Sequence, residues 1–270
     1  SQDSPEDQEA ARQFNIIATA YNNGVYAKAA PKWQDFIKKY PNFKRTDEAY
    51  FYLGNSQLNL KQFNEAMATY RTLEQKFPKF ANHDAARYNE AMAQFQAASA
   101  SGKPEDFQAA AKLFSDAIQK NANNPYVARS LYYLGECQYA AGKKEDAIAA
   151  YRQLAEKFPD GNLTADAIYF QGVTEQELNR YEDASKTFDR FLDKPAYAQH
   201  ELAPEIRLRQ GICLYEVENF AEAEKRFREV AADKDSQLAD FALLRQGQCL
   251  SATGKPLEAE RLEQRTTFDL

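Results

Sequence analysis

Glu105-Asp106, Glu145-Asp146 and Glu182-Asp183 are adjacent carboxylates, the residue type that general acid and base catalysis draws on. His83 beside Asp84 and His200 beside Glu201 add imidazoles next to acids, and Cys137, Cys213 and Cys249 add thiols. Together these are the groups of nucleophilic, redox and metal chemistry. Their spacing argues otherwise. No C-x-x-C, H-E-x-x-H, nucleophile motif or phosphate-cradling glycine loop occurs. The carboxylate pairs, with the single acids Glu65, Glu222 and Glu258, fall at the starts of expected helices, where negative charge favours the helix dipole. Lys38, Lys39, Lys76, Lys120 and Lys157 fall in last turns, the complementary bias. Both histidines precede a helix and read as solvated turn residues. The cysteines each stand two residues after a glycine (Gly135, Gly211, Gly247), where other copies have Ser56, Ala93 and Thr174. That column takes a small side chain, and Cys fills it as a small hydrophobe. The expectation is a protein that is not an enzyme and holds no cofactor or metal.

The elements that position these residues form a repeat. In 128–159, Gly135, Ala147 and Pro159 are spaced by twelve, and Gly54, Ala66 and Pro78 match that template. Gly172/Ala184, Gly211/Ala223 and Gly247/Ala259 keep the same spacing. An Ala column runs Ala29, Ala66, Ala110, Ala147, Ala184, Ala223, Ala259, in steps of 37, 44, 37, 37, 39 and 36. The long step contains a small-residue insertion, 96–104, between two helices. A second column reads Ile17, Gly54, Ala91, Gly135, Gly172, Gly211, Gly247, a position where a small residue lets helices approach closely; Ile17 has no preceding repeat to press against. Aromatics three before and four after the Ala column, among them Trp33, Tyr70, Phe114, Tyr151, Phe188 and Phe227, share one buried face. Gly24, Gly142, Gly254 and Asn179 suit left-handed helix ends, and Pro41, Pro78, Pro125, Pro159 and Pro195 close units.

The boundaries that follow are a polar tail at 1–8 and repeats at about 9–41, 47–78, 84–125, 127–159, 164–195, 203–233 and 237–268, in a single array. The tail permits export without showing it. The last helix, 257–267, is polar through Glu258, Glu260, Arg261, Glu263, Gln264 and Arg265, and reads either as a cap or as the point where a longer array was cut. With 44% apolar and 27% charged residues of interleaved sign, the chain is expected to fold rather than stay disordered. A net charge of −6 without a basic block argues against nucleic acid. No apolar run approaches the roughly 20 residues of a membrane-spanning helix.

These columns resemble the tetratricopeptide repeat family. Leu131, Leu134, Gly135, Ala147, Tyr151 and Pro159 match its pattern, as do Tyr50, Leu53, Gly54, Ala66, Tyr70 and Pro78. The resemblance implies an all-α fold, a right-handed α-α superhelix (TPR solenoid) of about seven helix-turn-helix repeats. The period near 37 and the closures Tyr40-Pro41, Phe77-Pro78 and Phe158-Pro159 look like the bacterial cell-envelope branch, similar to outer-membrane assembly lipoproteins and Tol-Pal-associated periplasmic proteins. That implies a periplasmic or envelope location, with the cytoplasm as the alternative.

The resemblance also places first helices on the concave side, where residues three before and one and four after the glycine column form a stripe. There lie Phe51, Tyr88, Phe95, Tyr132, Glu136, Tyr139, Tyr169, Gln176, Leu208 and Tyr215, the residues expected to bind a partner. Tyrosine suits such a surface, offering apolar area at low entropic cost and a hydroxyl. Family members that clamp a C-terminal carboxylate carry Lys and Asn at these columns; only Asn55 matches, so that specialisation is not expected. The function expected is a non-catalytic scaffold gripping a peptide or helical segment of a protein partner in envelope assembly or maintenance. The alternative is a module binding glycan or cell-wall polymer by stacking sugars on the same rings.

Overall fold

The computed structural model describes residues 4–233 and 236–268, with side chains as far as Leu262. Among them are fourteen α-helices and no strand. The chain divides into two compact units, Ser1–Lys143 and Lys144–Leu270. The first holds α1 (Pro5–Asn22), α2 (Tyr26–Lys39), α3 (Thr46–Asn59), α4 (Phe63–Lys76), α5 (His83–Ser101), α6 (Pro104–Lys120) and α7 (Val127–Ala140). The second holds α8 (Lys144–Lys157), α9 (Thr164–Glu177), α10 (Tyr181–Leu192), α11 (Ala203–Glu216), α12 (Phe220–Ala231), α13 (Ala239–Ala252) and α14 (Pro256–Phe268), with a short 3-10 turn at Pro195–Tyr197. Within each unit every helix packs on the next in sequence.

The helix ends follow local chemistry. α1 begins at Pro5, inside the stretch read as a tail, because Ser4 and Asp7 form a reciprocal capping box there. Glu65, Glu105-Asp106, Glu145-Asp146, Glu182-Asp183, Glu222 and Glu258 all lie in first turns of second helices. Left-handed residues end the first helices: Gly24, Gly102, Gly142, Gly254 and Asn179 as glycine or asparagine, and Lys61 and Glu218 with φ of 60° and 61°. In each of the last two the next N–H reaches back across the turn, Gln62 to the Gln57 carbonyl at 2.9 Å and Asn219 to the Leu214 carbonyl at 2.8 Å. Beyond the second helices a side chain brackets the chain: the hydroxyls of Thr46 and Thr164 donate to the carbonyls of Tyr40 (2.7 Å) and Phe158 (2.5 Å). His83 occupies the matching position, with Nε2 2.8 Å from the Phe77 carbonyl and its ring edge-on to Phe80.

Ala29, Ala66, Ala110, Ala147, Ala184 and Ala223 are fully buried, as are the rings four residues after them. At Gly54, Gly172 and Gly211 the column is small for a reason inside the hairpin. A Cβ at Gly54 would meet the Tyr70 ring at 2.6 Å, one at Gly211 the Phe227 ring at 2.7 Å, and one at Gly172 would strike Phe188. The pressure comes from the repeat's own second helix, so a missing preceding repeat does not account for Ile17, which is buried in one cluster with Trp33. The cysteines face the second helix of the preceding repeat: Cys137 clusters with Ala110 and Phe114, Cys213 with Ala184 and Phe188, Cys249 with Ala223 and Phe227. Burial pushes their thiols up to about 12, 12 and 11. The insertion at 96–104 makes no loop. Its residues lengthen α5 to 19 and α6 to 17, against 14 for most of the other helices, with Gly102 at the sharp turn between them. Of the polar cap residues, the side chains of Glu263, Gln264 and Arg265 lie outside the described residues.

Candidate partner-binding surface

In the first unit the aromatic stripe is built from α3, α5 and α7, and each ring leans on a neighbour. Phe51 packs on Phe80 at 5.6 Å and Tyr70 at 6.5 Å between centroids. Tyr88 stacks on Tyr126 at 5.1 Å with planes 22° apart, and burial pushes its phenol up to about 12. Phe95 meets Phe107 at 6.1 Å and Tyr133 at 5.1 Å, while Tyr132 stands edge-on to Tyr133 at 5.4 Å. These four rings and Glu136 are half-buried, and Tyr139 is 40% exposed. Phe14, in the same column, is fully buried beneath the Arg45 guanidinium, 3.9 Å from its ring centre.

In the second unit charge joins the rings. The Tyr169 hydroxyl donates to Glu205 Oε1 at 2.7 Å, and Arg209 donates from Nε to that same oxygen and from Nη1 to Gln176 Oε1 at 3.2 Å. Burial, then the bond to Glu205, raises the Tyr169 phenol pKa, so it stays a donor. Tyr215 stands edge-on to Phe220 at 5.1 Å, with the Arg245 guanidinium 4.3 Å from its ring centre. Leu208 is only 7% exposed and belongs to the core of α11, α12 and α13.

Two arrangements escaped the column reading. The first is the column two residues before the glycines. Tyr52 stacks on Trp33 (26°), Tyr133 on Phe114 (15°) and Phe170 on Tyr151 (26°), each covering the buried ring of the preceding repeat. At Arg245 the same position carries a guanidinium, 5.8 Å from Phe227. The sequence carries this signal as a periodic column, one residue after the stripe column of Phe51 and Tyr132. The second is a polar hub at Asn55, 8% exposed. Its Oδ1 accepts from the Tyr70 hydroxyl (2.6 Å) and Asn89 Nδ2 (2.9 Å), and its Nδ2 donates to the Tyr21 hydroxyl (3.1 Å). Residues 34 apart in sequence make that hub, and no local spacing announces it.

The groups with catalytic potential are held in structural roles. His200 is half-buried, its Nδ1 accepting from the Leu202 N–H at 3.2 Å and its ring edge-on to Phe191. His83 is thus a bracketing group, and His200 a half-buried turn residue packed on Phe191. Among the described residues, no three His, Cys, Asp or Glu side chains gather to hold a metal, and no helix is long and apolar enough to cross a membrane.

One tetratricopeptide-repeat family model matches residues 48–79 and 129–161, and a second matches 171–239. Among curated proteins none matches the chain. Solved structures do. The apo form of RapI superposes with a TM-score of 0.60 at 13% identity, over 96% of this chain and 76% of that one. A tetratricopeptide repeat protein from Parabacteroides merdae gives 0.55 at 13% identity, over 96% and 93%. MamA gives 0.57 at 22% identity, over 72% and 96%. At these identities the likeness is one of fold. Proteins built from such repeats are in general non-catalytic scaffolds that bind other proteins. Residues 48–79, 129–161 and 171–239 thus match tetratricopeptide repeats, and the helical hairpins share their fold with the solved structures.

Proposed function

We propose that the chain is a scaffold whose first helices hold a peptide or helical segment of a protein partner, with the half-buried rings as anchors. The observation that carries this reading is the row of rings on successive first helices of the first unit, Phe51, Tyr88, Phe95 and Tyr132, leading to Tyr139 at 40% exposure. A side chain that is half-covered by its own fold is already ordered, so a partner covering the remainder gains apolar burial at small entropic cost. Burial pushes the Tyr88 phenol up to about 12, so it stays a donor. The bacterial cell envelope is the setting we favour, on the resemblance of the repeat closures alone.

The experiment is selection of binding peptides from a random library on the wild-type chain, followed by affinity measurement on a Tyr132→Ala/Tyr139→Ala variant. Loss of about tenfold or more, with unchanged helicity, supports the reading, since truncated aromatic anchors cost at least about 1.4 kcal/mol. Insoluble cell-wall polymer is the second arm. Capture there, lost in the same variant, with no peptide selected, would favour stacking on sugars instead.

A further inference from the structure

A cleft lies apart from the aromatic stripe, between α4, α5 and α6 of the first unit, and none of the stripe residues lines it. Its volume is about 340 Å³, at the small end of the range of ligand pockets, about 300–1,000 Å³. Two of its lining residues are closed on each other, Arg87 Nη2 donating to Glu74 Oε1 at 2.7 Å. Four others keep polar atoms to spare. Glu90 is 6% exposed; its Oε1 accepts from Arg71 Nε at 2.7 Å, and its Oε2 accepts from no group among the described residues. Arg71 spends only Nε on that bond, its side chain is 56% exposed, and neither Nη has a partner among the described residues. Asp116 and Lys120, one turn apart on α6, make no hydrogen bond or ion pair among the described residues. Burial holds the Glu90 carboxyl above its ordinary range despite Arg71, and the carboxylates of Glu74 and Asp116 push the same way. Leu113 and Ala117 give the cleft an apolar wall.

The charges decide the ligand. Arg71, Arg87 and Lys120 face Glu74, Glu90 and Asp116, so a strongly anionic or strongly cationic molecule meets as much repulsion as attraction. A small molecule carrying one charge of each sign satisfies both sets. We propose that this cleft binds a free aliphatic α-amino acid, its carboxylate on Arg71 and Lys120, its ammonium on Glu90 and Asp116, and its side chain against Leu113 and Ala117. The Arg71 guanidinium offers its unused fork to the carboxylate without releasing Glu90.

Calorimetric titration of the full chain with L-leucine, leucinamide and N-acetyl-leucine tests this. Leucinamide lacks the carboxylate and N-acetyl-leucine the ammonium, so each should bind about tenfold or more weakly than leucine, the loss of a charge-assisted contact. Lys120→Ala removes an exposed side chain, so the variant should stay folded and bind leucine about tenfold less tightly. Glu90→Gln should weaken leucinamide as well as leucine. The absence of saturable heat with leucine, equal binding of the three compounds, or a Lys120→Ala variant that binds leucine as the wild type does would overturn the assignment.

Discussion

A methyl group added at Gly172 would strike the Phe188 ring, whereas one added at Gly247 would find, among the described residues, nothing nearer than the Ala259 carbonyl oxygen at 4.0 Å. The same substitution should therefore have opposite signs within one column. Gly172→Ala forces a buried ring off its rotamer and should destabilise by about 1–3 kcal/mol, while Gly247→Ala should gain about 0.5–1 kcal/mol of helix propensity. Urea denaturation of the two variants checks this, and equal shifts would refute the ring as the cause. The need for a small residue was legible in the sequence as a recurring glycine. What presses on it was not, because the ring stands sixteen residues on, across a hairpin. Glu90 makes a pH prediction of the same grain. Its carboxyl is held above the ordinary 4.5 by burial first, with Arg71 opposing. A raised carboxyl contributes stability below about 4.5 that is lost as pH rises through the folded-state value. Wild type should thus lose stability relative to Glu90→Gln from pH 4.5 upward, and parallel pH curves would contradict that.

At the scale of helices, the periodic signals worked where the cause is local. Acids in first turns and proline closures were readable because each acts on the nearest turn of backbone. Lys61 and Glu218 were not readable as left-handed residues, since nothing in their side chains asks for positive φ; the repeat register forces it on them. A non-glycine residue there costs about 1–2 kcal/mol, so Glu218→Gly should stabilise the second unit by about 1 kcal/mol. A lower denaturation midpoint for Glu218→Gly would count against that account. The insertion at 96–104 looked like connecting chain because of its small residues. Alanine and serine extend a helix readily, and Gly102 alone supplies the turn.

For the whole molecule, the all-helical tetratricopeptide repeat character was legible from columns that recur through the chain, and the helices observed in both units carry it. The stripe of rings was legible as a list of residues but not as a surface. Spacing could name Tyr88 and Tyr169, yet not that one is stacked on Tyr126 and the other tied to Glu205, nor that Leu208 lies in the core. Those facts depend on contacts between repeats. The measurement that bears most directly on the central claim is the affinity of a library-selected peptide for Tyr132→Ala/Tyr139→Ala against wild type, taken beside circular dichroism and thermal melts. The account predicts a fall of about tenfold or more with the helical signal unchanged. Unchanged affinity in a variant that folds as the wild type does would contradict it.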